Sequence, residues 1–185
     1  MTDVQQALSI TYFAAGDSGG WHVLDMAAVH SPGLPPVAAM AINDGDPIDG
    51  ARWTLRGTVS HLRYIGAADR DALDARSPPL GRPEASNAAM IAIRKSAKWW
   101  RLAHDERHAI LQRSAHLAIG MEHLPAIARQ LYHARDLGEP FDFITWFEFA
   151  PRDEMGFSEM LAMLRASEEW GYVEREVDIR LERAD

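Results

Sequence analysis

The chain has 185 residues, of which 47% are hydrophobic and 25% are charged. These proportions are ordinary for a globular protein and exclude a largely disordered chain. The net charge of −8 argues against a nucleic-acid-binding protein, whose surface is usually basic. Because the chain has no cysteine, disulfides, cysteine-ligated zinc, iron–sulfur clusters and covalently attached c-type haem are excluded.

The N-terminal residues 1–6 lack a basic segment followed by a long apolar run, so we expect no signal peptide. The sequence has no stretch of about 20 apolar residues, so we expect no transmembrane helix. We therefore expect a cytoplasmic protein.

Short strands and turns are predicted for the first half of the chain. Residues 9–13 and 21–29 are candidate strands on either side of a glycine-rich turn. Residues 31–50 are rich in proline, glycine and aspartate, which predicts a long connection. Residues 51–64 and 88–93 supply two further candidate strands.

Helical spacing of apolar residues follows over residues 98–124. Pro125 interrupts this pattern, because proline lacks a backbone donor and clashes with the preceding helical turn. We expect the chain to continue as a helix over residues 126–132, until Gly138 ends it.

The last part of the chain predicts a strand, a helix and a strand. Residues 141–149 form an aromatic segment bounded by prolines, residues 157–170 an amphipathic helix, and residues 173–181 an alternating strand. The order of elements favours an α+β fold with helices on one face of a mainly antiparallel sheet.

Two histidine patterns suggest metal chemistry. His104 and His108 are spaced to bind zinc on a helix, but the acidic order differs from the metalloprotease motif, and a solvated helix start is the alternative. His116 lies in an apolar stretch, four residues before Gly120, whose missing side chain would let a flat ring approach. From spacing alone, His116 is either a ligand or a hydrogen-bonded core histidine.

Two charged positions also stand out. Arg129 lies among alanine and isoleucine, where a charge needs a partner, a use or a path to solvent. Glu168 and Glu169 lie at the end of a predicted helix, where carboxylates oppose the helix dipole. Either solvent exposure or recruitment by another group explains them.

Taken together, short strings in a shared order resemble the chlorite dismutase family, and most closely its short, two-subunit lineage. The resemblance runs from about Arg52 to Leu181. The strings that carry it are Trp53-Thr-Leu-Arg-Gly, Leu62-Arg-Tyr64, Gly81-Arg-Pro-Glu, Ile93-Arg-Lys95, Trp99-Trp100, His116-Leu-Ala-Ile-Gly, Leu124-Pro-Ala-Ile-Ala-Arg129, Leu131-Tyr-His, Asp136-Leu-Gly-Glu-Pro, Thr145-Trp-Phe-Glu-Phe-Ala-Pro, Glu169-Trp170 and Asp178-Ile-Arg-Leu181.

This resemblance implies a ferredoxin-like dimeric α/β-barrel with an antiparallel sheet and helices on one face. It divides the chain into a shortened N-terminal subdomain, residues 1–90, and a haem-binding C-terminal subdomain, residues 91–185. It also implies non-covalently bound haem b and a homodimer, with no nucleic-acid or membrane partner.

The resemblance assigns roles to residues of this chain. His116 is the implied proximal iron ligand, and Arg129 is the implied distal, catalytic cation. Glu169, or Glu168 next to it, is implied to accept a hydrogen bond from the proximal imidazole. The implied contacts of the haem propionates are Tyr64, Lys95 and Trp99.

Physical chemistry agrees with these roles. Thirteen residues separate His116 from Arg129, which is about 20 Å in a straight helix, so a break such as Pro125 is needed to place them on opposite faces of one haem. A carboxylate that accepts from the imidazole makes it a stronger donor to iron. A permanently charged arginine can hold an oxyanion without titrating.

The implied activity is that of a chlorite O2-lyase, which converts chlorite to chloride and dioxygen through a ferryl and hypochlorite intermediate. The alternatives are a haem-dependent peroxidase, a coprohaem decarboxylase and a haem-binding module without catalysis. Arg129 counts against the decarboxylase, which typically lacks the distal arginine.

Overall fold

The structure, a computed structural model, describes residues 9–30, 32–59 and 75–184. Eight antiparallel strands alternate with a minority of short helices. The strands are β1 (Ile10–Gly16), β2 (Trp21–His30), β3 (Ala39–Asp44), β4 (Trp53–Val59), β5 (Asn87–Lys95), β6 (Ala128–His133), β7 (Phe143–Phe149) and β8 (Val173–Arg183). The helices are α1 (Ala97–Arg101), α2 (His104–Arg113), α3 (His116–Glu122) and α4 (Glu154–Arg165).

The strands form one closed barrel in the order β1-β3-β2-β8-β5-β7-β6-β4, and β4 returns to β1. The expected ferredoxin-like α+β fold, a dimeric α/β-barrel with an antiparallel sheet and helices on one face, is therefore wrong for this chain. Closure pairs the backbone groups that an open sheet would leave at its two edges. The division into subdomains of residues 1–90 and 91–185 stays a prediction.

Close packing at Gly57 helps to explain how the barrel closes between β4 and β6. A Cβ atom at Gly57 would lie 2.6 Å from the Cβ of Tyr132 on β6. Only glycine fits at this distance, so Gly57 permits the close approach of the two strands.

Aromatic side chains fill the barrel interior. Phe13 packs edge-on against Tyr132 at 5.0 Å between ring centroids, and Trp21 packs edge-on against Trp146 at 5.3 Å. Because side chains alternate across a strand, the neighbours of Trp146 on β7 point out of the barrel toward the helices.

Several local predictions are confirmed, and three are wrong. Strands occur within the predicted segments 9–13, 21–29, 51–64, 88–93, 141–149 and 173–181. The predicted connection 31–50 contains strand β3, and the predicted helix 98–124 is broken into three. Most of the predicted helix 126–132 is instead strand β6, because residues 128–133 pair with β7.

The chain changes direction sharply between α2 and α3. Ala115 lies there in the left-handed region, with φ of 50°. Among the described residues, no helix is both long and apolar enough to cross a membrane.

Candidate functional site

A large cavity lies between the helices and the outer face of strands β5, β7 and β6. Its volume is about 180 Å³. The walls are mostly apolar, with five charged or titratable side chains: Lys95, His116, Arg129, His133 and Glu169. Such a cavity suits an organic ligand with a few polar anchors.

His116 begins α3 and lines this cavity. Its Nδ1 atom lies 2.7 Å from Oε2 of Glu169. An ionised carboxylate can only accept, so Nδ1 carries the proton and donates it. With the proton on Nδ1, a deprotonated Nε2 carries the lone pair that a metal would bind, and 36% of the side chain is exposed.

Glu169 is buried and bonded on both of its carboxylate oxygens. The Lys95 ammonium lies 2.9 Å from Oε1, while His116 holds Oε2. Burial by itself would raise the pKa of Glu169, but the hydrogen bond and charge of His116, together with the charge of Lys95, lower it to about 2. Glu169 is therefore an anion at neutral pH, and the proton stays on the imidazole.

Lys95 is also buried, at the end of β5. Its ammonium lies over the ring of Trp99 at 4.7 Å and over that of Trp170 at 5.6 Å. Burial lowers the pKa of Lys95, and the neighbouring Glu169 opposes this effect. The 2.9 Å contact with Oε1 directs the Lys95 ammonium at Glu169.

Glu168 and Glu169 have different surroundings. Glu168 is exposed and accepts two hydrogen bonds from Arg113, each 2.9 Å long. The contact with His116 therefore belongs to Glu169.

Arg129 lies on β6, with its side chain in the same cavity as His116. Burial lowers the pKa of Arg129, although a guanidinium stays charged at neutral pH. Within residues 9–30, 32–59 and 75–184, no hydrogen bond or ion pair is formed by this guanidinium. An unpaired cation in an apolar cavity is a ready site for an anion.

Of the other two residues predicted to contact the haem propionates, Trp99 and Tyr64, the structure describes only Trp99. Trp99 is buried, lines the cavity, and packs 5.4 Å from the ring of Tyr172. Tyr64 lies outside the described residues. In the described part of the chain no three His, Asp or Glu side chains cluster as metal ligands, so the zinc alternative at His104 and His108 gains no support.

Two contributors to the site are absent from the sequence-based predictions. Ser114 accepts a 2.9 Å hydrogen bond from the backbone N–H of Glu169. Trp170 forms part of the cavity wall, and its indole N–H donates to buried Glu176. Nothing in the local pattern around Ser114 indicates a partner 55 residues away.

The pKa of Glu169 predicts a specific dependence of stability on pH. A glutamate with an ordinary value of 4.5 that falls to about 2 on folding stabilises the protein above pH 4.5. This contribution, at most about 3 kcal/mol, is lost as the pH falls from 4.5 toward 2. In urea unfolding of the ligand-free protein, the free energy of unfolding of Glu169→Gln should fall furthest below that of wild type above pH 4.5. A difference that stays constant from pH 6 to pH 2 would contradict this.

The fold and the site together define a class of protein: an antiparallel β-barrel with an external apolar cavity, lined by a carboxylate-oriented imidazole and by an arginine that has no partner among the described residues. No model of a known protein family matches the sequence. The crystal structure of a dimeric chlorite dismutase from Nitrobacter winogradskyi is 52% identical, with a TM-score of 0.89; the match covers 94% of this chain and 99% of that one. The chain belongs to the chlorite dismutase family, a family of enzymes.

More distant structures have the same fold. The chlorite dismutase from Candidatus Nitrospira defluvii in complex with imidazole is 19% identical, with a TM-score of 0.68, and the match covers 97% of this chain and 92% of that one. A mutant of the same enzyme in complex with cyanide is 19% identical, with a TM-score of 0.69, over 100% of this chain and 96% of that one.

Proposed function

We propose that the cavity binds haem b and that His116 is its protein ligand. The observation that carries this proposal is the hydrogen bond from His116 to ionised Glu169, which leaves Nε2 as a lone-pair donor beside an apolar cavity. An apolar cavity in which one imidazole is oriented by a carboxylate suits a porphyrin, which brings four nitrogen ligands of its own. The absence of cysteine excludes the thioether attachment of c-type haem, and we propose that the haem is bound non-covalently.

We propose that the enzyme converts chlorite to chloride and dioxygen, as the name of its 52% identical relative suggests. The reaction balances without another reactant, since one chlorite anion yields one chloride and one dioxygen. Both oxygen atoms must therefore stay together in the cavity until the O–O bond forms. When bound, the haem iron supplies the redox chemistry, and the protein supplies binding and electrostatics.

Arg129 is the residue we assign to retaining the oxychlorine anion. Its guanidinium has no hydrogen-bond or ion-pair partner in the part of the chain that the structure describes, and burial in apolar surroundings strengthens its attraction for an anion. Its planar guanidinium offers several donors at fixed angles, so it can hold chlorite, and then hypochlorite, without giving up a proton.

Glu169 and Lys95 act on the proposed iron ligand and not on the anion. The carboxylate holds the His116 proton at Nδ1, and the Lys95 ammonium keeps that carboxylate in place. Trp99, Tyr64 and Lys95 remain proposed contacts of the haem propionates. The description of the Nitrobacter relative as dimeric supports a homodimer for this chain.

We expect Glu169→Gln to raise the reduction potential of the haem iron. The amide cannot accept from Nδ1 as strongly as a carboxylate, so the imidazole becomes a weaker donor and ferric iron is less stabilised. Spectroelectrochemical titration measures the potential. Glu168→Gln is the matched control, because that carboxylate contacts Arg113 at the surface instead. An equal effect of the two substitutions would contradict the assignment.

Oxygen evolution tests the proposed activity. Protein purified with added haem should show the visible spectrum of a His-ligated ferric haem and should release one dioxygen for each chlorite consumed, measured with an oxygen electrode. A normal haem spectrum without oxygen release would favour the peroxidase, the coprohaem decarboxylase or the haem-binding module. The absence of a Soret band would overturn the cofactor assignment itself.

A further inference from the structure

We infer that Ser114 is a positioning residue, whose hydroxyl holds the backbone of Glu169 in the place from which its carboxylate reaches His116. Ser114 is buried and follows the last residue of α2, two positions before His116. Its Oγ accepts the Glu169 N–H at 2.9 Å. One short segment therefore binds Glu169 twice, through its backbone and through its carboxylate.

These contacts close a ring between two distant parts of the chain. The α2–α3 corner, residues 113–116, meets the 3-10 turn Glu169–Tyr172. The ring runs from the Ser114 hydroxyl to the Glu169 amide, through its side chain to the His116 imidazole, and back along the chain. The Ser114 bond fixes the backbone from which the Glu169 side chain extends, and so fixes the starting point from which its carboxylate reaches His116.

The backbone between the two contacts is strained. Ala115 has a positive φ of 50°, which costs a non-glycine residue free energy and persists only where surrounding contacts impose it. The hydrogen bonds on either side of Ala115 are such contacts. We infer that they maintain the turn that directs His116 into the cavity.

The neighbouring ion pair cannot replace the Ser114 contact. Arg113 and Glu168 join the same corner and turn, but their side chains are 57% and 45% exposed. Exposed pairs contribute little to stability, because water screens them. The hydrogen bond between the Ser114 hydroxyl and the Glu169 amide is buried, so water does not replace it. Loss of the hydroxyl leaves the Glu169 N–H without an acceptor.

The first test needs no cofactor. In the ligand-free protein, NMR can follow the Nδ1 proton of His116 and the amide proton of Glu169. Both protons exchange with water from an open state in which their hydrogen bonds are broken. Loss of one neutral hydrogen bond raises the population of that state roughly threefold to tenfold, so we expect Ser114→Ala to speed exchange of both protons by about that factor. Ser114→Thr should restore slow exchange, because the hydroxyl is kept.

Two comparisons separate this role from a general loss of packing. Ser114→Val has the shape of Ser114→Thr without the hydroxyl, so the Thr and Val variants decide the question even if the Ala variant is unstable. Ser167→Ala removes a hydroxyl two residues from Glu169 that donates to Leu164 and not to the His116 pair. This variant should exchange like wild type. Equal exchange in the Thr and Val variants would overturn the inference.

The second test rests on the proposed haem function. In haem-loaded protein, Ser114→Val should raise the iron reduction potential in the same direction as Glu169→Gln, by a smaller amount, while Ser114→Thr should not. If wild type fails to bind haem but the exchange results hold, the proposed function is wrong and the positioning role stands. If haem binds and the exchange of the Val variant is unchanged, the positioning role is wrong.

Discussion

The His116→Ala protein should lose haem binding almost completely. Among the residues that line the cavity, His116 combines a free ring nitrogen with a carboxylate that orients it. Removal of an orienting partner alone typically costs ten- to hundredfold in metal affinity, so we expect the loss of the ligand itself to exceed about a hundredfold. Titration of the ligand-free protein with haem, followed at the Soret band, measures the affinity.

Two controls make the His116 result specific. His108→Ala removes a histidine from α2 that does not line the cavity, and it should bind haem like wild type. Added imidazole should partly restore binding to His116→Ala, because it can enter the space that the side chain vacates. A normal His-ligated ferric spectrum in His116→Ala without added imidazole would show that another residue holds the iron.

The Arg129→Ala protein should still bind haem but should hold anions poorly. Loss of a charge-assisted hydrogen bond costs on the order of 1.5–3 kcal/mol, so affinity for cyanide or fluoride should fall by roughly ten- to hundredfold. Hypochlorite should escape more often during turnover. We therefore expect some oxygen release, faster bleaching of the haem, and protection by a hypochlorite scavenger.

The form of the charge matters as well as its presence. Arg129→Lys keeps a cation but loses the planar donor geometry, so its anion affinity and rate of bleaching should fall between those of wild type and Arg129→Ala. Arg152→Ala, at a position 76% exposed, controls for the change in net charge. If Arg129→Ala equals wild type in anion affinity, hypochlorite leakage and inactivation, Arg129 is structural and the proposed retention of the anion is wrong.

The strands that were predicted correctly carry their signal locally. In β7, Phe143, Thr145 and Phe147 line the cavity, while Ile144 and Trp146 point into the barrel core. In β8, the alternate residues Val177, Ile179 and Leu181 belong to the barrel core. This alternation of side chains is a property of neighbouring residues, so it can be recognised without knowing the partner strands.

The segments that were predicted wrongly depend on partners elsewhere in the chain. Residues 126–132 have a composition that favours a helix, yet β6 forms because it lies between β7 and β4. Strand β3 lies in a segment rich in turn residues, and it forms because β1 pairs with it along six residues. Local propensity is weak compared with a full set of ladder hydrogen bonds.

The sequence by itself determined the family, through the order of its short strings, and it singled out His116, Arg129 and Glu169 as residues whose surroundings are unusual. Only the tertiary structure decided that Glu169 rather than Glu168 meets His116, that Lys95 is directed at the same carboxylate, and that Ser114 holds its backbone. These contacts join residues 53 to 74 positions apart. Hydrogen bonds act over about 3 Å, so closure of the barrel and packing of the helices on its outer face decide which distant side chains come that close.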